Sequence, residues 1–97
     1  MLIYCQDNGN RIQFGNVRMI STATSVAQIQ GGTAVDFIGC DLQAAPSATD
    51  PNDVIRYYGT YATGGVITGC VLRKATPYGG FFGGAGNTYQ NNVEHQL

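Results

Sequence analysis

"VITGCVLR", residues 66–73, has a partner thirty residues earlier in "DFIGCDLQ", residues 36–43. Both read apolar, any residue, Gly-Cys, any residue, Leu. Working outward, the apolar residue that begins each stretch is Phe14 in "IQFGNVRM", Phe37, Ile67, and then Tyr89 in "NTYQNNVEH". The spacings are 23, 30 and 22 residues. The long middle interval holds "AAPSATDPND", residues 44–53, whose prolines, small residues and aspartates are the chemistry of a surface loop. Without that excursion the period is close to 22–23 residues, a repeat length typical of stacked architectures. In the first stretch, Phe14-Gly15-Asn16-Val17-Arg18-Met19, the glycine comes one residue earlier, so it reads as a tighter version. The last stretch puts Asn91-Asn92 in place of Gly-Cys.

Alternation places Val35 and Phe37, with Thr33, on one face of a strand. The Gly-Cys step then bends the chain, and Leu42 or Leu72 returns to the interior. A strand that turns a corner reads this way. "STATSVAQIQ", residues 21–30, is also read as strand, since Ser and Thr crowd its start and no helix C-cap precedes Gly31-Gly32.

Composition agrees. Only 11% of the 97 residues are charged, against roughly 25% in a usual soluble domain. Fourteen glycines and many Thr, Asn and Gln suit strands and turns more than helices. One all-β domain over 1–97 follows, with the surface loop at about 44–53. Net charge is −1, and Arg11, Arg18, Arg56, Arg73 and Lys74 are scattered, so no phosphate-neutralising patch for nucleic acid is written. No apolar run reaches membrane-spanning length. "MLIYCQDNGN" lacks the features of a secretion signal, which leads to an expectation of synthesis in a cytoplasm. Cys5, Cys40 and Cys70 have no metal-type spacing and read as small buried residues, so neither a metal nor another cofactor is expected.

Short strands, corners at Gly, Asn and Cys, and a period near 22 resemble the coils of right-handed parallel β-helices, as in pectate-lyase-like proteins and phage tailspikes. The resemblance covers about residues 10–97 and implies a short stack of about four coils. It implies that Cys40 lies above Cys70, with Phe14, Phe37, Ile67 and Tyr89 forming an apolar ladder beside them. An antiparallel β-sandwich or barrel is the other architecture such spacing permits. Nothing at either end reads as a polar cap, so self-association or excision from a longer protein is expected. A cyclic trimer is what the phage proteins imply.

Little reads as chemistry. Asp36 and Asp41 flank the "FIGC" corner, and glycosidic cleavage needs two carboxyl groups facing one bond. They are the candidate catalytic pair, although turn aspartates exposed to solvent are the ordinary reading of both, as of Asp50 and Asp53. No serine has a nucleophile setting, His95 lies past the last repeat, and neither "QGGTA" nor "FFGGAGN" has the ending of a phosphate loop. Aromatics are more telling: "RYYGTYATGG" (56–65) and "TPYGGFFGGAGN" (76–87) supply Tyr57, Tyr58, Tyr61, Tyr78, Phe81 and Phe82 as interface candidates. Adjacent strand residues point to opposite faces, so one of Phe81 and Phe82 is expected to meet a neighbouring chain.

The expected function is therefore non-enzymatic: a structural or assembly protein of a phage-like virion, capsid-decorating or part of a tail. Its expected partners are copies of itself and other structural subunits. The alternative is a carbohydrate-binding module, or a fragment of a polysaccharide depolymerase, holding surface polysaccharide with Asp36 or Asp41 beside Arg56 and Tyr58. A third class is a small β domain with a host-directed binding role.

Overall fold

The corner repeated at Gly39 and Gly69 sets the architecture. A computed structural model describes residues 2–5, 11–21, 25–31, 34–44, 53–58, 62–74 and 79–97. Among these the chain has twelve short strands and no helix. The first coil is β1 (Ile3–Cys5), β2 (Ile12–Gly15) and β3 (Arg18–Ile20), and the second is β4 (Ala27–Ile29), β5 (Val35–Ile38) and β6 (Asp41–Ala44). A third coil follows as β7 (Ile55–Tyr57), β8 (Val66–Thr68) and β9 (Val71–Lys74), and a fourth as β10 (Phe82–Gly83), β11 (Thr88–Gln90) and β12 (Val93–Gln96). Equivalent strands pair in parallel into three four-stranded sheets: β1-β4-β7-β10, β2-β5-β8-β11 and β3-β6-β9-β12, here called sheets A, B and C. The chain is a short parallel β-helix of four coils. With every strand pair parallel, the sandwich and barrel are excluded.

Phe14 pairs with Phe37, Phe37 with Ile67 and Ile67 with Tyr89, so the ladder runs through all four coils. Gly15 pairs with Ile38, not Gly39, so the first stretch is in register with the second and is not tighter. What it shares with the others is the bend residue. Asn16, Gly39, Gly69 and Asn91 have φ of 54°, 64°, 65° and 57°, the left-handed region that Gly and Asn tolerate best. The chain turns from sheet B into sheet C at this one position in every coil.

Inward positions fill the core. In sheet C, Leu42 and Leu72 are fully buried, as are Phe37 and Ile67 in sheet B and Ile29 and Ile55 in sheet A. Each such side chain contributes about 1.5–3 kcal/mol by leaving water. Phe14 stacks on Phe37 with ring centroids 5.2 Å apart. The strand expected within 21–30 is β4, with Ala27 and Ile29 inward. His95 does not lie past the last repeat; it belongs to β12 and pairs with Arg73. Of the loop expected at about 44–53, Ala44 closes β6 and Asp53 is buried just ahead of β7; residues 45–52 lie outside the described residues.

Candidate functional site

Beside the left-handed bend runs a ladder of Val17, Cys40, Cys70 and Asn92. The Cys40 N–H donates to Cys70 Sγ at 3.4 Å, and the Cys70 N–H donates to Asn92 Oδ1 at 2.9 Å. Each of the Cys40, Cys70 and Asn92 side chains also donates to the carbonyl of the apolar-ladder residue one coil back. Cys40 Sγ reaches Phe14 O and Cys70 Sγ reaches Phe37 O, both at 3.3 Å, and Asn92 Nδ2 reaches Ile67 O at 2.9 Å. The expected stacking of Cys40 and Cys70 is present. Burial raises the Cys70 thiol above its ordinary pKa, consistent with a structural sulfur.

The acidic candidates do not stand as free turn residues. Asp36 is fully buried on β5, where its Oδ2 accepts from Arg11 Nε at 2.9 Å, Arg11 Nη2 at 2.5 Å and Gln13 Nε2 at 3.3 Å. Its Oδ1 accepts the Val66 N–H at 2.9 Å, just ahead of the point where β5–β8 pairing begins at Phe37 and Ile67. Asp41 lies across the corner in sheet C, hydrogen-bonded to Arg73 and 4.0 Å from Arg18. Asp53, also buried, accepts from Arg56 Nη1 at 2.8 Å and from the Gly80 N–H at 2.7 Å. Asp36 and Asp41 thus occupy different sheets with separate arginine partners. Arg56 lies on sheet A, with Tyr58 just past the end of β7, and the carboxylate bonded to Arg56 is Asp53, not Asp36 or Asp41. Asp50 lies outside the described residues.

The aromatic candidates divide. Tyr57 is a core residue at 4% exposure, its hydroxyl donating to Val35 O, so it is not available to a partner surface. Tyr58 is half-buried beneath the Arg56 guanidinium, 5.2 Å from its ring. Phe82 stacks on Tyr89 at 4.5 Å, and Phe81 lies 4.9 Å from Lys74 Nζ. Both phenylalanines are half-buried and pack against the core, contrary to the opposite-face expectation. The reason is a second corner. Phe81 occupies the position of Val26 and Val54, and each of those precedes an inward strand residue yet is itself fully buried. Tyr61 and Tyr78 lie outside the described residues.

The two ends of the stack differ, and this was not foreseen. At the first coil the inward residues are Ile3, Cys5, Ile12, Phe14, Val17 and Met19, six apolar side chains, with buried Ser21 in line with Ala44 and Lys74. Below them lie Ala27, Ile29, Val35, Phe37, Cys40 and Leu42, each at most 2% exposed, whereas Ile12 is 42% and Val17 39% exposed. Leu2, Tyr4 and Ile20 add exposed apolar surface around that coil. At the fourth coil the sheet C ladder Met19–Leu42–Leu72 ends in Glu94. Its Oε2 accepts the Tyr89 hydroxyl at 2.9 Å, and burial followed by this bond raises the Tyr89 pKa. Asn92 and Asn87 complete a polar end, Asn87 bridging the Gly65 N–H and Ala62 O at 2.8 and 2.9 Å. The fourth coil thus carries a polar end where none was expected. Placing every inward position coil by coil would have exposed Glu94 opposite Leu72.

No family model, curated protein or solved structure matches the chain. Among the described residues there is no cluster of three or more His, Cys, Asp or Glu side chains placed to hold a metal ion.

Proposed function

We propose that the chain is a structural assembly module, built to be covered at one end by another protein surface. The observation that supports this is the first coil, whose six inward apolar residues lie over a closed core with nothing above them among the described residues. Three sheets end there in unpaired edges, a feature that folded proteins cover or blunt. Stacked repeats behave alike and need a terminal cap. The likeness to pectate-lyase-like and tailspike coils extends this reading to a subunit of a phage-like virion that works through protein–protein contacts and performs no reaction. Light scattering coupled to size exclusion tests it. A closed oligomer that persists on dilution supports assembly, and a chain that stays monomeric at every concentration overturns self-assembly.

A second reading has its own support. The outer face of sheet A carries Tyr4, 49% exposed, then Gln28 and Arg56, with Tyr58 under the arginine and the Tyr4 hydroxyl 3.1 Å from Gln30 Oε1. Two aromatic rings among planar polar groups suit the faces and hydroxyls of a saccharide. Glycan-array binding lost on Tyr58→Ala supports that reading, and binding unchanged by the substitution overturns it.

A further inference from the structure

We infer that the first coil docks against the first coil of a second copy, giving a closed head-to-head pair. This rests on the assembly reading and names its partner. The exposed face is the cross-section of the core itself, bounded on three sides by the edges of β1, β2 and β3. An occupant that satisfies all three edges together must present three strands in the same outline, and another end of this chain does so.

The ends decide which one. Head-to-tail stacking would place the fourth coil on the first and bury Glu94 in the line of Met19 and Leu42. A carboxylate there would be removed from water among apolar side chains, a strongly unfavourable placement. It would also leave an open end on every added copy and grow without closing. A two-fold axis across the stack brings apolar end to apolar end and closes at two copies, with the facing strands antiparallel. Charge permits it: the charged side chains of the described first coil are Arg11 and Arg18, and each faces an aspartate of its own second coil, at 2.5 and 4.0 Å. Size permits it as well. Four coils at the usual strand spacing of about 4.8 Å run along the shortest dimension. The extents of 33 × 25 × 20 Å then give an end face on the order of 400–800 Å², near the roughly 800 Å² per partner of a standard interface.

The test is the solution mass of the full chain and two variants, together with hydrogen exchange. The unmodified chain should have twice the 10.3 kDa monomer mass, and Ile12→Lys, at the rim of the face, should return it to 10.3 kDa. Glu94→Leu, at the other end, should yield species larger than the pair whose size rises with concentration. Exchange on the unmodified chain should slow at β1–β3 as concentration rises, independently of whether any variant folds. A trimer insensitive to Ile12→Lys, with β1–β3 exchange independent of concentration, overturns the pair and leaves the assembly reading standing. A monomer throughout overturns the pair and self-assembly with it, and leaves a different protein as the cover of the first coil.

Discussion

Replacing Asn92 removes one side chain from two bonds at once. Asn92→Ala leaves the Cys70 N–H and the Ile67 carbonyl without their 2.9 Å partners. Both belong to residues at most 1% exposed, so water replaces the amide poorly from within the stack. An unsatisfied buried group costs about 1–3 kcal/mol. Asn92 itself is half-buried on the end coil, which allows partial hydration and places the sum near 2–3 kcal/mol. Asn92→Cys should cost less, about 1 kcal/mol, because Cys70 one coil back already makes the same two contacts through sulfur at 3.3–3.4 Å. Urea unfolding reads the difference. With slopes of about 1–3 kcal/mol/M, the alanine variant should lower the midpoint by about 1–2 M at unchanged slope, and the cysteine variant by less than half of that. If alanine and cysteine prove equal, the side-chain ladder is not what holds the corner and the reasoning fails.

Leu42→Ala, at a fully buried position between Met19 and Leu72, should cost about 2–5 kcal/mol, and a urea midpoint within error of the parent would contradict the core described here. Arg11→Ala leaves the fully buried Asp36 carboxylate without its cation and should cost about 3–5 kcal/mol, whereas Asp36→Ala leaves a largely exposed guanidinium and a Val66 N–H without its acceptor and should cost less, about 1–3 kcal/mol; calorimetry on both compares them, and equal losses would contradict the buried carboxylate. Thiol titration should find Cys5 reacting first and Cys40 and Cys70 only on unfolding; three fast thiols would refute the stacked arrangement. Because burial raises the Tyr57 and Tyr89 pKa values, the folded state holds these protons longer than the unfolded chain, whose tyrosines titrate near 10. Stability is thus full below about pH 10 and falls as pH rises beyond it, and Tyr57→Phe should flatten that fall in urea midpoints measured from pH 8 upward.

The B-to-C corner was legible because its physics is local. Alternation before the bend, a residue tolerant of positive φ at the bend and Leu after it are written in six consecutive positions. Asn91-Asn92 was the weakest match by spelling, yet it performs both tasks of Gly-Cys, the left-handed turn and the side-chain bond. Sheet A was legible only in part: β4 was read as a strand within 21–30, but no repeated Gly-Cys or Asn-Asn step marks where β1, β7 and β10 begin. Asp36 looked like a surface residue because its partners, the Arg11 cation and the Gln13 amide, come from the preceding coil. The contrast between the ends is a property of stacking, visible only once each inward position has its neighbour.

Partners in every rung are far apart in the chain, from Thr88 and Val66, 22 positions apart, to Phe37 and Ile67, 30 apart. No rung can form until a whole turn of chain has closed on itself, roughly a quarter of the molecule, and that closure is entropically opposed before any contact rewards it. Such topology folds slowly. The first structure to survive should be the second and third coils joined through Leu42–Leu72 and Phe37–Ile67, where burial is complete. Each further coil then adds to an existing template, so the outer coils are the last to form and the first to fray.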